Sequence, residues 1–329
     1  MSYNPFLSVH KYLWKKQKPD HRDKRFEHMF KVVKSRENTL PSSVNLCKQV
    51  NVPEAYDQGD LGSCTANGLA FCYQFDEIKQ VNKNIFTPSR LFIYYNEREL
   101  EGTTSQDSGA NIRDGIKTIN STGICKESLW SYDITKFTVK PPEICYTEAK
   151  KYTSTVYATV DQTETSLKTV LNSGYPIVFG FYVFQSFENK DVANTGIMPV
   201  PNTDTEMLLG GHCVVIVGYD DSKKAFLIRN SWGNSWGCDY DYNPTNGATL
   251  PNGGYFLMPY SCVLDKNIST DFWVVSKVTD PSNLPDPAPV PLETEKLQEI
   301  HSSLITASNL IQSSILNINM LLKNKNKYK

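Results

Sequence analysis

The sequence predicts an α+β protein, a helical half followed by a strand-rich half with a cleft between them, on three observations. From Cys64 the apolar residues Leu69, Ala70, Cys72, Tyr73, Phe75 and Ile78 recur at helical spacing, which predicts a largely buried helix from about Ser63 to about Val81. From about residue 151 short β-branched and aromatic runs replace that pattern. A proline-rich stretch, DPSNLPDPAPVP at 280–291, then separates this body from the C-terminal segment as a semi-rigid linker.

Taken in order, residues 1–39 are polar and charged, basic from Lys15 to Lys34, and read as an extension or short prosegment that is either a solvated arm or laid on the rest of the chain. The body spans 40–279, with a helical lobe over about 55–150 and a β lobe over about 151–279. A second helix is predicted over Ile112 to Ile119, closed by Gly123. TSTVYATV then reads as a strand, Glu164 to Leu171 as a short helix ended by Asn172-Ser173-Gly174, and PIVFGFYVF, CVVIVGY, AFLIRN, YFLMPY and DFWVVSKV as strands. In the last segment, 292–329, the residues Leu297, Ile300, Leu304, Ala307, Ile311, Ser314, Ile318 and Leu321 form a seam in steps of three and four. That amphipathic helix, followed by a basic tail, offers residues 292–322 for self-association or for folding back on the body.

Composition bounds the function. Hydrophobic residues make up 40% of the 329 and aromatics 12%, sufficient for a substantial core. Lys+Arg 34 against Asp+Glu 35, a net charge of -1, gives no basic excess for a nucleic-acid partner. The five histidines and eight cysteines show no zinc-site spacing, so neither metal nor cofactor is expected. No signal-peptide core and no spanning apolar run occur, which leads to the expectation of an intracellular, cytoplasmic protein without a membrane span.

Three blocks carry chemistry. In DQGDLGSC, Cys64 stands at the start of the first helix, where unpaired N–H groups and the positive end of the helix dipole favour a reactive thiolate. In GGHCVV, His212 opens an apolar strand of the other lobe, placed to pair with Cys64 across the cleft. In RNSWGNSWG, Asn230 ends a strand and offers a carbonyl to the imidazole N–H, with Trp232 able to shield that bond from water. The side-chain NH2 of Gln58 and the backbone N–H of Cys64 are candidate donors for the oxyanion of a tetrahedral intermediate.

Together these blocks resemble the papain family of cysteine peptidases, the family of the cathepsins, over roughly Leu40 to Val275. The resemblance implies a two-lobed fold with a helical lobe and a β-barrel-like lobe, and a Cys64–His212–Asn230 triad hydrolysing peptide bonds of peptide or protein substrates. It assigns substrate contacts to Gly62, Gly109, Ala110, Gly211 and Trp232, with Trp232 on the leaving-group side. Departures from the family pattern are Leu61 in place of a disulfide cysteine, Thr65 in place of an aromatic, an insertion at 238–252 and a short N-terminal extension. Their texture is similar to the intracellular branch of bacteria and large DNA viruses, for which packaging in a virion is a further expectation. A catalytically silent binding or scaffold protein, and transfer of the thioester acyl group to an amine, are the alternative functions.

Overall fold

The computed structural model describes residues 10–29, 40–80, 85–153 and 156–276. The linker at 280–291 and the seam at 292–322 lie outside the described residues. The described residues all belong to one compact unit, within 1–279.

Before a short helix α1 (Phe26–Met29) and strand β1 (Ser43–Asn45), residues 10–25 of this unit have no regular element and turn at Asp20–Asp23. Helix α2 (Cys64–Lys79) matches the expected helix. Its residues from Cys64 to Glu77 are all buried, because it is covered by α3 (Arg90–Glu101) and α4 (Ile112–Ser121) on one side and by the sheet on the other. The sequence reading did not anticipate α3, although its ends are well signed. The Ser89 hydroxyl accepts the Phe92 N–H at the N-terminus, and Gly102 takes the left-handed conformation at the C-terminus. Helix α5 (Glu143–Ala149) completes the helical half.

The second half alternates β2 (Val156–Thr159), α6 (Glu164–Asn172), β3 (Ile177–Phe184), α7 (Lys190–Thr195), β4 (Leu208–Asp220), β5 (Ala225–Arg229), β6 (Tyr255–Pro259), α8 (Tyr260–Leu264) and β7 (Ser269–Ser276). Each strand and the helix expected from the sequence is present. The strands pair antiparallel in the order β2-β7-β3-β4-β5-β6, and β1 adds to β4. β3 is buried at all positions but Tyr182, and β5 at every position, which is why both read as continuous apolar runs rather than alternating ones. Apolar side chains of α2 and of the sheet's facing side belong to one continuous core.

All eight cysteines are buried free thiols. Among the described residues no helix is long and apolar enough to cross a membrane.

Candidate active site

Cys64 is the first residue of α2. The N-cap, Ser63, makes no side-chain bond to the helix, because its hydroxyl is engaged with Tyr132 at 2.5 Å. The N–H groups of the first turn are therefore left without a side-chain cap and stand beside the thiol. The backbone N–H of Cys213, the residue after His212 on β4, acts on the thiol to favour its thiolate.

His212 sits on β4 opposite Phe181 of β3, fully buried. Its Nε2 lies 2.8 Å from Asn230 Oδ1, and the same oxygen accepts the Ser231 N–H at 2.9 Å. The second bond identifies that atom as the amide carbonyl, so Nε2 carries the proton and the lone pair is on Nδ1. Nδ1 has no hydrogen-bond partner among the described residues. Trp232 stacks on the imidazole at 4.9 Å and 19°.

Gln58 is held from both sides of the cleft. Its backbone N–H donates to Ser231 O at 2.9 Å, its Oε1 accepts the Ser231 hydroxyl at 2.6 Å, and its Nε2 donates to Leu61 O at 2.9 Å. One N–H of the amide thus fixes the turn before Cys64.

Sequence reasoning missed the supports of this turn. Arg90, on α3, forks onto Glu127 at 2.9 and 2.7 Å and donates from Nη1 to Asp57 O and Asn67 Oδ1, both at 3.2 Å. Its guanidinium lies over the ring of Tyr132, whose hydroxyl donates to Gln58 O at 3.0 Å. Asp107 accepts the Gly62 N–H at 3.0 Å and the Tyr94 hydroxyl at 2.5 Å, while Tyr94 accepts the Gly109 N–H at 3.0 Å. This polar strut ties the Gly62 turn to the 107–110 wall beside Leu61, the position where the resemblance had led to a missing disulfide. Thr65 donates to the buried Glu97 at 2.7 Å, a polar bond in place of an aromatic contact. From the β side, Arg229 donates to Pro53 O at 2.9 Å, Glu54 O at 2.5 Å and the Tyr255 hydroxyl at 2.6 Å. None of these had a spacing signal, since each pairs residues distant in sequence.

The five residues to which substrate contact was assigned are all covered by the chain's own N-terminal segment. Trp14 N–H donates to Gly211 O at 2.9 Å and Gly211 N–H to Tyr12 O at 3.3 Å, a parallel bridge. Lys15 N–H donates to Ala110 O at 3.1 Å. Leu13 lies so close to Gly62 and Gly109 that a Cβ on Gly109 would stand 1.8 Å from its carbonyl oxygen. His10 stacks on Trp232 at 3.7 Å and 7°. Further contacts fasten the segment: the Tyr12 hydroxyl on Glu188, Lys11 on Asp107, Lys15 on Glu101, Gln17 N–H on Asp271 and Arg113 on Asp23. Residues 10–28 are therefore a docked extension and not a solvated arm.

Cys64 and His212 are both fully buried, and burial dominates their electrostatics. Burial pushes the Cys64 thiol up to about 12, against the opposing backbone N–H of Cys213, and pushes the His212 imidazole down to about 4, against its Asn230 bond. The helix terminus was expected to lower the thiol. Desolvation outweighs it, and burial favours the neutral form of both groups.

Residues 40–242 match the model of the family described as papain family cysteine protease. An uncharacterized peptidase C1-like protein of Acanthamoeba polyphaga mimivirus is 46% identical over 284 residues, 81% of this chain and 86% of that protein. The crystal structure of xylellain, a cysteine protease from Xylella fastidiosa, is 39% identical with a TM-score of 0.70, covering 81% of this chain and 96% of that one. Digestive procathepsin L 3 of Tenebrio molitor larval midgut, at 18% identity and a TM-score of 0.57, shares the fold over 78% of this chain and 76% of its own.

Proposed function

The chain belongs to the papain family of cysteine proteases, and we propose that it is an endopeptidase in which Cys64 is the nucleophile and His212 its base. The observation that carries this reading is the 2.8 Å bond from His212 Nε2 to Asn230 Oδ1, which leaves the Nδ1 lone pair without a partner among the described residues. Nδ1 takes the thiol proton as Cys64 Sγ attacks the scissile carbonyl. The imidazolium then gives that proton to the leaving amine, and a thioester joins the acyl group to Cys64. Water, deprotonated at Nδ1, attacks the thioester and restores the thiol. The side-chain NH2 of Gln58 and the Cys64 N–H receive the oxyanion in both steps; one such donor is typically worth about 3–4 kcal/mol of barrier.

Residues 10–17 occupy the surface a substrate needs, so the chain as it stands is a covered, self-inhibited form. Its docking supports a zymogen-like role for the segment, released by displacement or cleavage. A silent scaffold would have no use for an imidazole tautomer set by Asn230, with Trp232 stacked on the ring. The test is hydrolysis of a mixed fluorogenic peptide library, under reducing conditions, by the chain after limited proteolysis of its N-terminal segment. Cleavage that disappears in Cys64→Ala supports the reading, and cleavage that persists in Cys64→Ala overturns it.

A further inference from the structure

Thr65 stands directly after Cys64 in the first turn of α2, and its hydroxyl donates to Glu97 Oε2 at 2.7 Å. Both side chains are fully buried. Glu97 reaches Thr65 from α3, and α4 leaves it room: a Cβ on Gly115 would stand 2.4 Å from Glu97 Oε1, so any larger residue there displaces the carboxyl. Oε1 itself has no hydrogen-bond partner among the described residues. No cation among them pairs with this carboxyl either. Arg98, its neighbour on α3, places its guanidinium on the carbonyls of Tyr94, Thr104, Gln106 and Phe137. Lys15 is bound to Glu101 and Lys117 to Asp114. The charged and titratable groups that face Glu97 are thus Arg98 and Glu101 on its own helix, Asp114 on α4, Cys64 on α2 and Cys213 on β4. A carboxylate with one hydrogen bond and no counter-ion is costly in such a place, and an acid whose hydroxyl lacks an acceptor costs less. Burial accordingly pushes the Glu97 carboxyl well above the usual carboxylate range, against the Thr65 bond.

We propose that Glu97 is a positioning residue for the nucleophile, one that fixes Thr65, and through it the first turn of α2 at Cys64, as an uncharged acid. The proposal rests on the peptidase reading. The N–H groups of that turn favour the thiolate that attacks the substrate. A carboxylate bonded to the next residue would set a second negative charge beside the sulfur, and the Glu97 charge does act on Cys64 in that opposing sense. The acid accepts the Thr65 hydroxyl equally well and leaves the field of the helix terminus to Cys64.

Thr65→Val and Glu97→Leu remove the bond, whereas Glu97→Gln keeps an acceptor for Thr65 and carries no charge. In the full-length chain at about pH 7, the infrared C=O band of an un-ionised carboxyl is expected in the parent and missing in Glu97→Gln, a reading independent of catalysis. No such difference means a charged Glu97 and overturns the proposal. After limited proteolysis of the N-terminal segment, Thr65→Val and Glu97→Leu are expected to lower kcat at least about tenfold with KM within about twofold, and Glu97→Gln to recover most of that loss. Should Glu97→Leu not fold, Thr65→Val beside Glu97→Gln carries the comparison. Alkylation of Cys64 at about pH 7.5 is expected to agree within about threefold between Glu97→Gln and the parent; a rate at least about tenfold higher in Glu97→Gln means that a negative charge has been removed and overturns the uncharged acid. An unchanged kcat in Thr65→Val overturns the positioning role while leaving the peptidase reading intact. No Cys64-dependent cleavage by the folded parent overturns the peptidase reading, and with it the role of Glu97.

Discussion

The Trp14 backbone N–H donates to the Gly211 carbonyl at 2.9 Å, one residue before the buried imidazole of His212. Through that bond the N-terminal segment and the candidate catalytic strand share one short β-bridge.

The first consequence concerns thiol reactivity. A thiol raised to about 12 by burial is thiolate only at high pH, so alkylation of Cys64 in the intact chain is expected to stay slow up to about pH 9 and to rise beyond it. In Trp14→Ala, where water reaches the cleft, the rise is expected at lower pH, with a rate at pH 7.5 at least about tenfold higher. Mass-spectrometric rates of alkylation at Cys64 across pH check this, and coincident profiles reject it.

The second concerns acid stability. His212 is lowered to about 4 by burial, so the unfolded chain binds its proton at higher pH than the folded one. Its contribution, on the order of 3 kcal/mol, is present in full above about pH 6.5 and is lost progressively as pH falls from there through about 4. His212→Gln carries no such proton. The difference in urea midpoint between it and the parent chain is expected to change across this window and to be flat above it.

A third prediction addresses the orienting amide. In Asn230→Ala the His212 Nε2–H loses its acceptor in a buried setting, which costs about 1–3 kcal/mol, or roughly 5- to 150-fold in kcat. Because the residue positions the base and does not hold substrate, KM is expected to move little. A KM effect larger than the kcat effect speaks against that role.

The polar frame of the Gln58 turn yields a fourth. Arg90→Met leaves Glu127 without its fork and Tyr132 without its cation, and is expected to cost about 3 kcal/mol of stability, at the lower end for breaking a largely buried pair since Glu127 is partly exposed. Tyr132→Phe removes one hydroxyl that serves Gln58 O and Ser63, and about 1–2 kcal/mol is expected. Chemical denaturation measures both, and an unchanged midpoint in Arg90→Met contradicts the frame.

Much of this site was legible because its parts lie at element boundaries with local signals: Cys64 opens α2, His212 lies in the glycine-led start of β4, and Asn230 follows β5. The strands were legible because β-branched runs are bounded by turns. Helix α3 was not, since its residues from Arg90 to Arg98 are all buried and two of them are arginines, which erases the one-sided apolar stripe a surface helix carries. The course of residues 10–28 was equally hidden. Tyr12, Trp14 and Phe26 are buried against surfaces built from distant parts of the chain, and an extended segment has no internal period to report them.

The most direct test of the central claim compares the full-length chain with a chain beginning at Leu40, each beside its Cys64→Ala control, in hydrolysis of a mixed fluorogenic peptide library under reducing conditions. The expected result is Cys64-dependent cleavage at least about tenfold faster in the shorter chain, because residues 10–17 no longer fill the cleft. Equal Cys64-dependent rates from the two chains would contradict the self-inhibited site, and no Cys64-dependent cleavage by a folded chain of either length would contradict the peptidase itself.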